Sequence, residues 1–279
     1  LPFYRQLEKL AILVVKDAPE KKVQDETLAL LDDRFMDTPS VATMQCKKVA
    51  AKMAQLSRDS IMAAMGLIDK FDEDRFKYVD LLESKIDRYE DALSEYIVKL
   101  ERQELSNEDN TVLSMILHNV GDLERISDHA KNISESALEL NRKSIRFSPD
   151  AEREVGIYMD AVREIVDMAV DSFIERDVEK AASVEPLEEV IDEIHAEVKN
   201  RHIERLRKGI CTIELGFVLS DLGTNLERVA DHCSNLAICT IEAAEGAFDM
   251  HRYTSRIKKY DVDEFEQKER DFEAKYSLD

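Results

Sequence analysis

The sequence predicts an all-α fold, and three observations carry that expectation. Only 7 Gly and 5 Pro punctuate 279 residues, so the chain has few places to turn sharply, and its elements must be long. The good helix formers Ala, Leu, Glu and Lys recur throughout, and no run of alternating β-branched residues interrupts them. Apolar residues fall three and four apart, as in Val112, Met115, Ile116, Leu123, Ile126, Ala130, Ile133 and Ala137, which places one apolar stripe on each helix.

Candidate breaks at 37–40, 70–74, 105–108, 147–150, 176–177 and 208–209 delimit six long helices, about 40–71, 73–104, 107–141, 149–176, 178–207 and 209–245. Several breaks carry a Ser, Thr, Asp or Asn with an acid shortly after it, the signature of a helix start. Connections this short make neighbours antiparallel, so the helices form bundles. Residues 1–36 carry a shorter helical pattern, over 4–15 and 24–33, interrupted at Asp17-Ala18-Pro19. Residues 247–279 are mostly charged and read as a solvated helix or a frayed tail.

Composition narrows the function. With 60 acidic against 39 basic side chains the formal charge is −21, which excludes nucleic acid as a partner, because phosphate backbones are bound by clustered cations. A hydrophobic content of 44% still supplies a real core. Cys46, Cys211, Cys233 and Cys239 lack C-x-x-C spacing and are too sparse for a disulfide framework, so they read as packing residues in a reducing compartment. The longest apolar run, residues 10–15, is far shorter than the ~20 residues of a membrane helix. The chain is expected to be soluble, and its start at Leu1 without Met reads as part of something longer. No Gly-rich phosphate loop, nucleophile elbow or H-E-x-x-H motif is present, so no enzyme is expected.

The internal repeat is the most informative feature. LERISDHAKNI (123–133) and LERVADHCSNL (226–236) share Leu, Glu, Arg, Asp, His and Asn at an offset of 103 residues. The preceding helices also correspond, Asp80, Glu83, Ile86 and Asp87 with Glu185, Glu188, Ile191 and Asp192, at an offset of 105. Two pseudo-repeated three-helix bundles follow, over 40–145 and 146–246, flanked by an N-terminal extension (1–39) and a C-terminal tail (247–279).

Each repeat carries two E-x-x-x-D pairs: Glu83 with Asp87 and Glu124 with Asp128 in the first, Glu188 with Asp192 and Glu227 with Asp231 in the second. Residues four apart share one helix face, about 6 Å apart along the axis, so each pair presents two carboxylates side by side. If the helices that bear them pack antiparallel, four carboxylates face each other, a set suited to hard cations such as Mg²⁺ or Ca²⁺, or to manganese and iron. The alternative is a solvated acidic surface, which any single pair in such a charged chain favours; recurrence at matching positions is what favours a site. His129 and His232, one residue after the Asp, and Asn132 and Asn235, four after it, are candidate supporting partners, with a structural or surface role the stronger reading for the two histidines. Arg125 and Arg228 are expected to pair with nearby acids. A di-iron oxidase needs Glu-x-x-His pairs, and none of the six histidines has a Glu three residues before it. A metalloenzyme on a carboxylate bundle and a purely structural bundle remain as alternatives.

At the doubled L-E-R-[IV]-x-D-H-x-x-N-[IL] motif the sequence resembles the PhoU family, over about residues 40–245. The resemblance implies two PhoU-like three-helix bundles of six long antiparallel helices, metal clusters on the E(D)-x-x-x-D motifs, and restraint of phosphate uptake. It implies one site at Glu83, Asp87, Glu124 and Asp128 and another at Glu188, Asp192, Glu227 and Asp231, with Asp80 and Glu185 as additional ligands. The metal would be divalent or trivalent, with iron, manganese, magnesium and zinc not distinguished. Ser127 and Ala230 stand where many members carry Gly, which affects close packing more than ligation. Leu1-Pro2-Phe3 through LEKLA (1–11) and LALLDDRFMDTPSVAT (28–43) are also similar to the stretch that follows the last membrane helix in bacterial sodium/phosphate cotransporters with a PhoU-like tail. The expected partner is accordingly the membrane portion of the same protein, at the cytoplasmic side of the cell membrane; the alternative is a free-standing regulator of an ATP-driven phosphate transporter. Homodimerisation is left open.

Overall fold

The computed structural model describes residues 25–245 and 262–279. Eight helices occur among them: α1 (Pro39–Asp69), α2 (Glu73–Leu100), α3 (Asn107–Lys143), α4 (Pro149–Glu175), the single turn α5 (Val178–Ala181), α6 (Val184–Arg207), α7 (Ile213–Glu245) and α8 (Val262–Lys275). The described residues contain no strand. Local chemistry sets most boundaries. The side chains of Asp72, Ser106, Ser148 and Asp177 each accept a hydrogen bond from a backbone N–H of the first turn they precede, satisfying donors that would otherwise be orphaned. Pro39 and Pro149 open α1 and α4, where a missing N–H costs nothing. Ser144 and Arg176 end α3 and α4 in the left-handed region, with φ of 52° and 58°.

Two expected helices differ. The segment 178–207 is α5 followed by α6, and Pro186 supplies the reason: it has no N–H and its ring excludes a continuous helix through residue 182, so the helix restarts with Pro186 in its first turn. The last long helix begins at Ile213, after a turn in which Gly209 adopts φ of 68°, a conformation that Gly adopts without steric cost. The 24–33 pattern forms two 3₁₀ turns, Leu28–Leu30 and Asp33–Phe35, not an α-helix. Such turns do not need a long helical register, and Asp32 caps the second by accepting from Arg34 N–H. The 4–15 pattern lies outside the described residues.

Helices α1, α2 and α3 pack on one another, as do α4, α6 and α7, and the two units meet where α3 lies against α7 and α1 against α4. The buried apolar residues form one core continuous through both repeats. The second unit contains a buried ion pair: Arg205 of α6 donates to Glu154 of α4 at 2.9 and 2.7 Å, with the two side chains only 10% and 3% exposed.

The C-terminal residues correct the expectation of a solvated or frayed end. Helix α8 packs on α6, and Tyr276 and Leu278 are buried. Arg153 and Arg201 donate to the Leu278 carbonyl at 2.9 and 3.0 Å, Lys275 reaches Glu164 at 2.7 Å, and the Tyr276 hydroxyl donates to the same carboxylate. Charge density on the outer face of α8 hid two apolar anchors that follow it. Among the described residues no helix is long and apolar enough to cross a membrane.

Candidate functional site

The doubled motif lies on α3 and α7 and serves two faces of each helix. One face turns toward the preceding helix of its own repeat, α2 or α6, and carries the acids. The other forms the seam between repeats.

On the first acidic face Glu124 is half-buried, and burial with the Asp128 and Glu90 carboxylates beside it raises its carboxyl to about 7. Glu90, three residues beyond Asp87, is also raised, by burial and by Asp91 and Asp87. Glu83 is held differently: Lys131 Nζ lies 2.9 Å from its carboxylate and 3.3 Å from Asp80. A cation of the protein's own thus sits between two of the expected ligands.

On the second face Glu188 rises to about 8, pushed by burial and by Glu185, Asp192 and Asp231. Asp192 is raised by burial and by Asp231, and Glu227 by burial and by Asp231. The position of Lys131 is filled by Ser234, which donates to Glu185. Arg228 offsets some of the charge from outside, 2.9 Å from Asp231 and 3.6 Å from Glu227, as expected of that arginine. Its guanidinium is more than half exposed, so solvent screens most of the attraction. Like charges brought together under burial favour the protonated form, and a bound cation would relieve the same repulsion. The donor set, oxygen from carboxylates, fits hard metal ions. Among the described residues no three His, Cys, Asp or Glu side chains converge on one point as a closed metal site does.

His129, His232, Asn132 and Asn235 sit on the seam, not among the acids. His129 Nδ1 and Asn132 Nδ2 lie 2.8 and 3.1 Å from Asn225 Oδ1. By pseudosymmetry, His232 Nδ1 and Asn235 Nδ2 lie 2.8 and 3.1 Å from Asp122 Oδ1. Asn225 Nδ2 donates to the Asp221 carbonyl at 2.7 Å, so its Oδ1 is the acceptor and His129 Nδ1 carries the proton. The two imidazoles stack with centroids 5.6 Å apart. Burial lowers the affinity of His129 for a second proton, and His232 beside it adds to the effect. Each repeat therefore holds the residue just before the other repeat's motif leucine. Sequence reasoning missed Asp122, Asn225, Glu90, Lys131 and Ser234; the first pair and the last were visible in the self-alignment as matched positions with unmatched residues.

Cys46, Cys233 and Cys239 are buried, as packing residues should be, whereas Cys211 is half-buried. Burial raises the Cys46 and Cys239 thiols to about 12, leaving them unreactive.

The PhoU domain model matches residues 50–137 and 157–240, one match per repeat. The phosphate-specific transport system accessory protein PhoU homolog 1 of Thermotoga maritima is 35% identical over 121 residues, 43% of this chain and 51% of that protein, so this match spans about half the relative's length. The PhoU homolog of Pseudomonas aeruginosa is 24% identical over 214 residues, covering 72% of this chain and 88% of the relative. Among solved structures, PhoU from Pseudomonas aeruginosa superposes with a TM-score of 0.68 at 23% identity, over 73% of this chain and 97% of that one. The phosphate transport system regulatory protein PhoU from Streptococcus pneumoniae gives 0.67 at 18%, over 76% and 99%; at these identities the likeness shows the fold. With a family domain matched in each half and together across more than half of its length, the chain belongs to the PhoU family.

Proposed function

We propose that this protein is a non-catalytic regulator of phosphate uptake that acts on a phosphate transporter from the cytoplasmic side. The observation that carries the reading is the doubled family domain, and the relatives' names, accessory proteins of phosphate-specific transport systems, support it. Those names favour a free-standing accessory protein over the cytoplasmic tail of a sodium/phosphate cotransporter. The tail reading rests on residues 1–11 and 28–43, and the first of these stretches lies outside the described residues. Deleting the gene should raise uptake of radiolabelled phosphate under phosphate-replete growth, and restoring the chain should reverse it; unchanged uptake would refute the role.

The same reading includes metal ions on the acidic faces. Glu188, Asp192, Glu227 and Asp231 would hold one in the second repeat, with Glu185 alongside; Asp87, Glu124 and Asp128, joined by Glu90, would do so in the first. A cation there would neutralise carboxylates on two helices at once and tie α6 to α7 or α2 to α3. Elemental analysis after supplementation with iron, manganese, magnesium and zinc should find metal in the wild type and less in Glu124→Gln and Glu227→Gln. No metal in any sample would leave the acids as solvated surface.

A further inference from the structure

The second unit contains a pocket that the first does not need. It lies between α4, α6 and α7, has a volume of about 270 Å³, and its wall is almost entirely apolar, with Val155, Val198, Leu222 and Leu226 among its residues. Its origin is legible in the repeat. Gly216 and Gly223 of α7 stand where Leu113 and Val120, both buried, fill the core of the first unit at the 103-residue offset. On α6, His202 stands where the first unit has the buried Ile97, at the 105-residue offset. A β-carbon at Gly216 would lie 2.8 Å from His202 Nε2, and one at Gly223 would lie 3.2 Å from His195 Cδ2. The missing side chains are thus what gives the two imidazoles room.

Three further observations point to a ligand. His202 is only 7% exposed, and its hydrogen-bonding contacts are to a single thiol, Cys211 Sγ, 3.5 Å from Nδ1 and 3.7 Å from Nε2. One sulfur cannot satisfy two ring nitrogens that point apart, so His202, on the pocket wall, keeps hydrogen-bonding capacity to spare. Lys199, exposed on the pocket wall, has no carboxylate within ion-pair distance among the described residues, in a chain with a net charge of −21. Phe217 and Ile213 stand on the same wall 68% and 72% exposed, where the first unit has Ser114 and Asn110. Apolar walls with a few convergent polar groups are the usual make-up of a small-molecule site.

We infer that this pocket binds a small amphipathic anion, an acyl or aryl carboxylate whose apolar body lies against Val155, Val198, Leu222 and Leu226 and whose carboxylate meets Lys199. A cavity of about 150 Å³ holds a benzene ring, so 270 Å³ suits a body of roughly ten carbons. His202 and His195 bind the carboxylate edge or its water. Burial lowers the proton affinity of both rings, with Arg205 adding to the effect at His202 and Lys199 at His195, so each remains a neutral hydrogen-bonding group.

The chain has no Trp, so Phe217→Trp in the full-length protein gives a single fluorescent reporter at the rim. Titrated with decanoate below its micelle concentration, it should show a saturable change. Lys199→Glu in that background should weaken decanoate at least tenfold while leaving decanol unchanged. Ser220→Phe, which fills the pocket from an exposed position on its wall, should abolish both. Absence of saturation, or equal loss of decanoate and decanol in Lys199→Glu, would overturn the proposal. So would a dimer in sedimentation that Phe217→Glu dissociates and decanoate leaves intact, since the face would then join two copies of this chain.

Discussion

The two acidic faces of this protein share a motif and differ in how their charge is balanced. In the first repeat Lys131 reaches across to Glu83 and Asp80. In the second, Ser234 occupies that position and offers Glu185 a hydroxyl, and burial, with Glu185, Asp192 and Asp231 beside it, lets Glu188 hold its proton to about 8. A bundle can thus repeat its ligand pattern while giving Glu83 and Asp80 of one half a lysine and the matching Glu188 and Glu185 of the other none, although Glu124 of the first half is also raised, to about 7. The packing ends differ in the same sense. Leu100 is buried in the first unit where, at the 105-residue offset, the second has Arg205 paired with Glu154.

The largest expected effect breaks that second contrast. Glu154→Ala leaves Arg205 buried without its carboxylate and should cost about 3–5 kcal/mol in urea unfolding, while Leu100→Ala should cost about 2–5 kcal/mol through its cavity. A loss below about 1 kcal/mol for Glu154→Ala would mean the ion pair does not brace α4 to α6. Next comes the exchange of counter-charge. Ser234→Lys should lower manganese affinity of the second face about tenfold or more, as changes beside metal ligands do, and should stabilise the metal-free protein. Lys131→Ser should have the opposite sign on the first face. If calorimetric titration shows neither substitution moving affinity, the side-chain cation and the added cation are not interchangeable.

A pH series sharpens the comparison further. An ordinary glutamate releases its proton near 4.5, whereas folded Glu188 keeps its own to about 8. Between those values the folded state binds more protons than the unfolded one, so stability falls as pH rises. The metal-free protein should lose melting temperature from about pH 5 to pH 8, and Glu188→Gln should flatten that slope; an unchanged slope would remove Glu188 as its source. The smallest effect is at the seam. Asp122→Asn makes the two halves of the seam alike, Asn facing His–Asn on both sides, and should cost about 1 kcal/mol or less because the acceptor is retained.

Much of this was legible in the sequence, and the parts that were not have physical causes. Helix positions followed from capping residues and Pro, as at Ser106, Ser148 and Pro149. The break at 182–183 was also encoded, by Pro186, but a single Pro near a helix start is tolerated or disruptive depending on its register. The acid pairs were visible as a repeat, yet their counter-charges were not, because Lys131 acts across to another helix and spacing along one helix does not register that. The same limit hid the seam. His129 looked like a neighbour of Asp128, and only the packing of α3 on α7 shows that its partner is Asn225. Helix α8 read as solvated because its buried apolar anchors, Tyr276 and Leu278, follow it, and among the helix's described residues only Phe272 joins them against the core.

Manganese content after equilibration and desalting of wild type, Glu83→Gln and Glu188→Gln shows whether the second face depends on an added cation more than the first. Metal is expected in the wild type, most of it retained in Glu83→Gln, whose carboxylate Lys131 already engages, with a large loss in Glu188→Gln. Equal loss in the two variants, or a wild type without metal, would contradict that dependence.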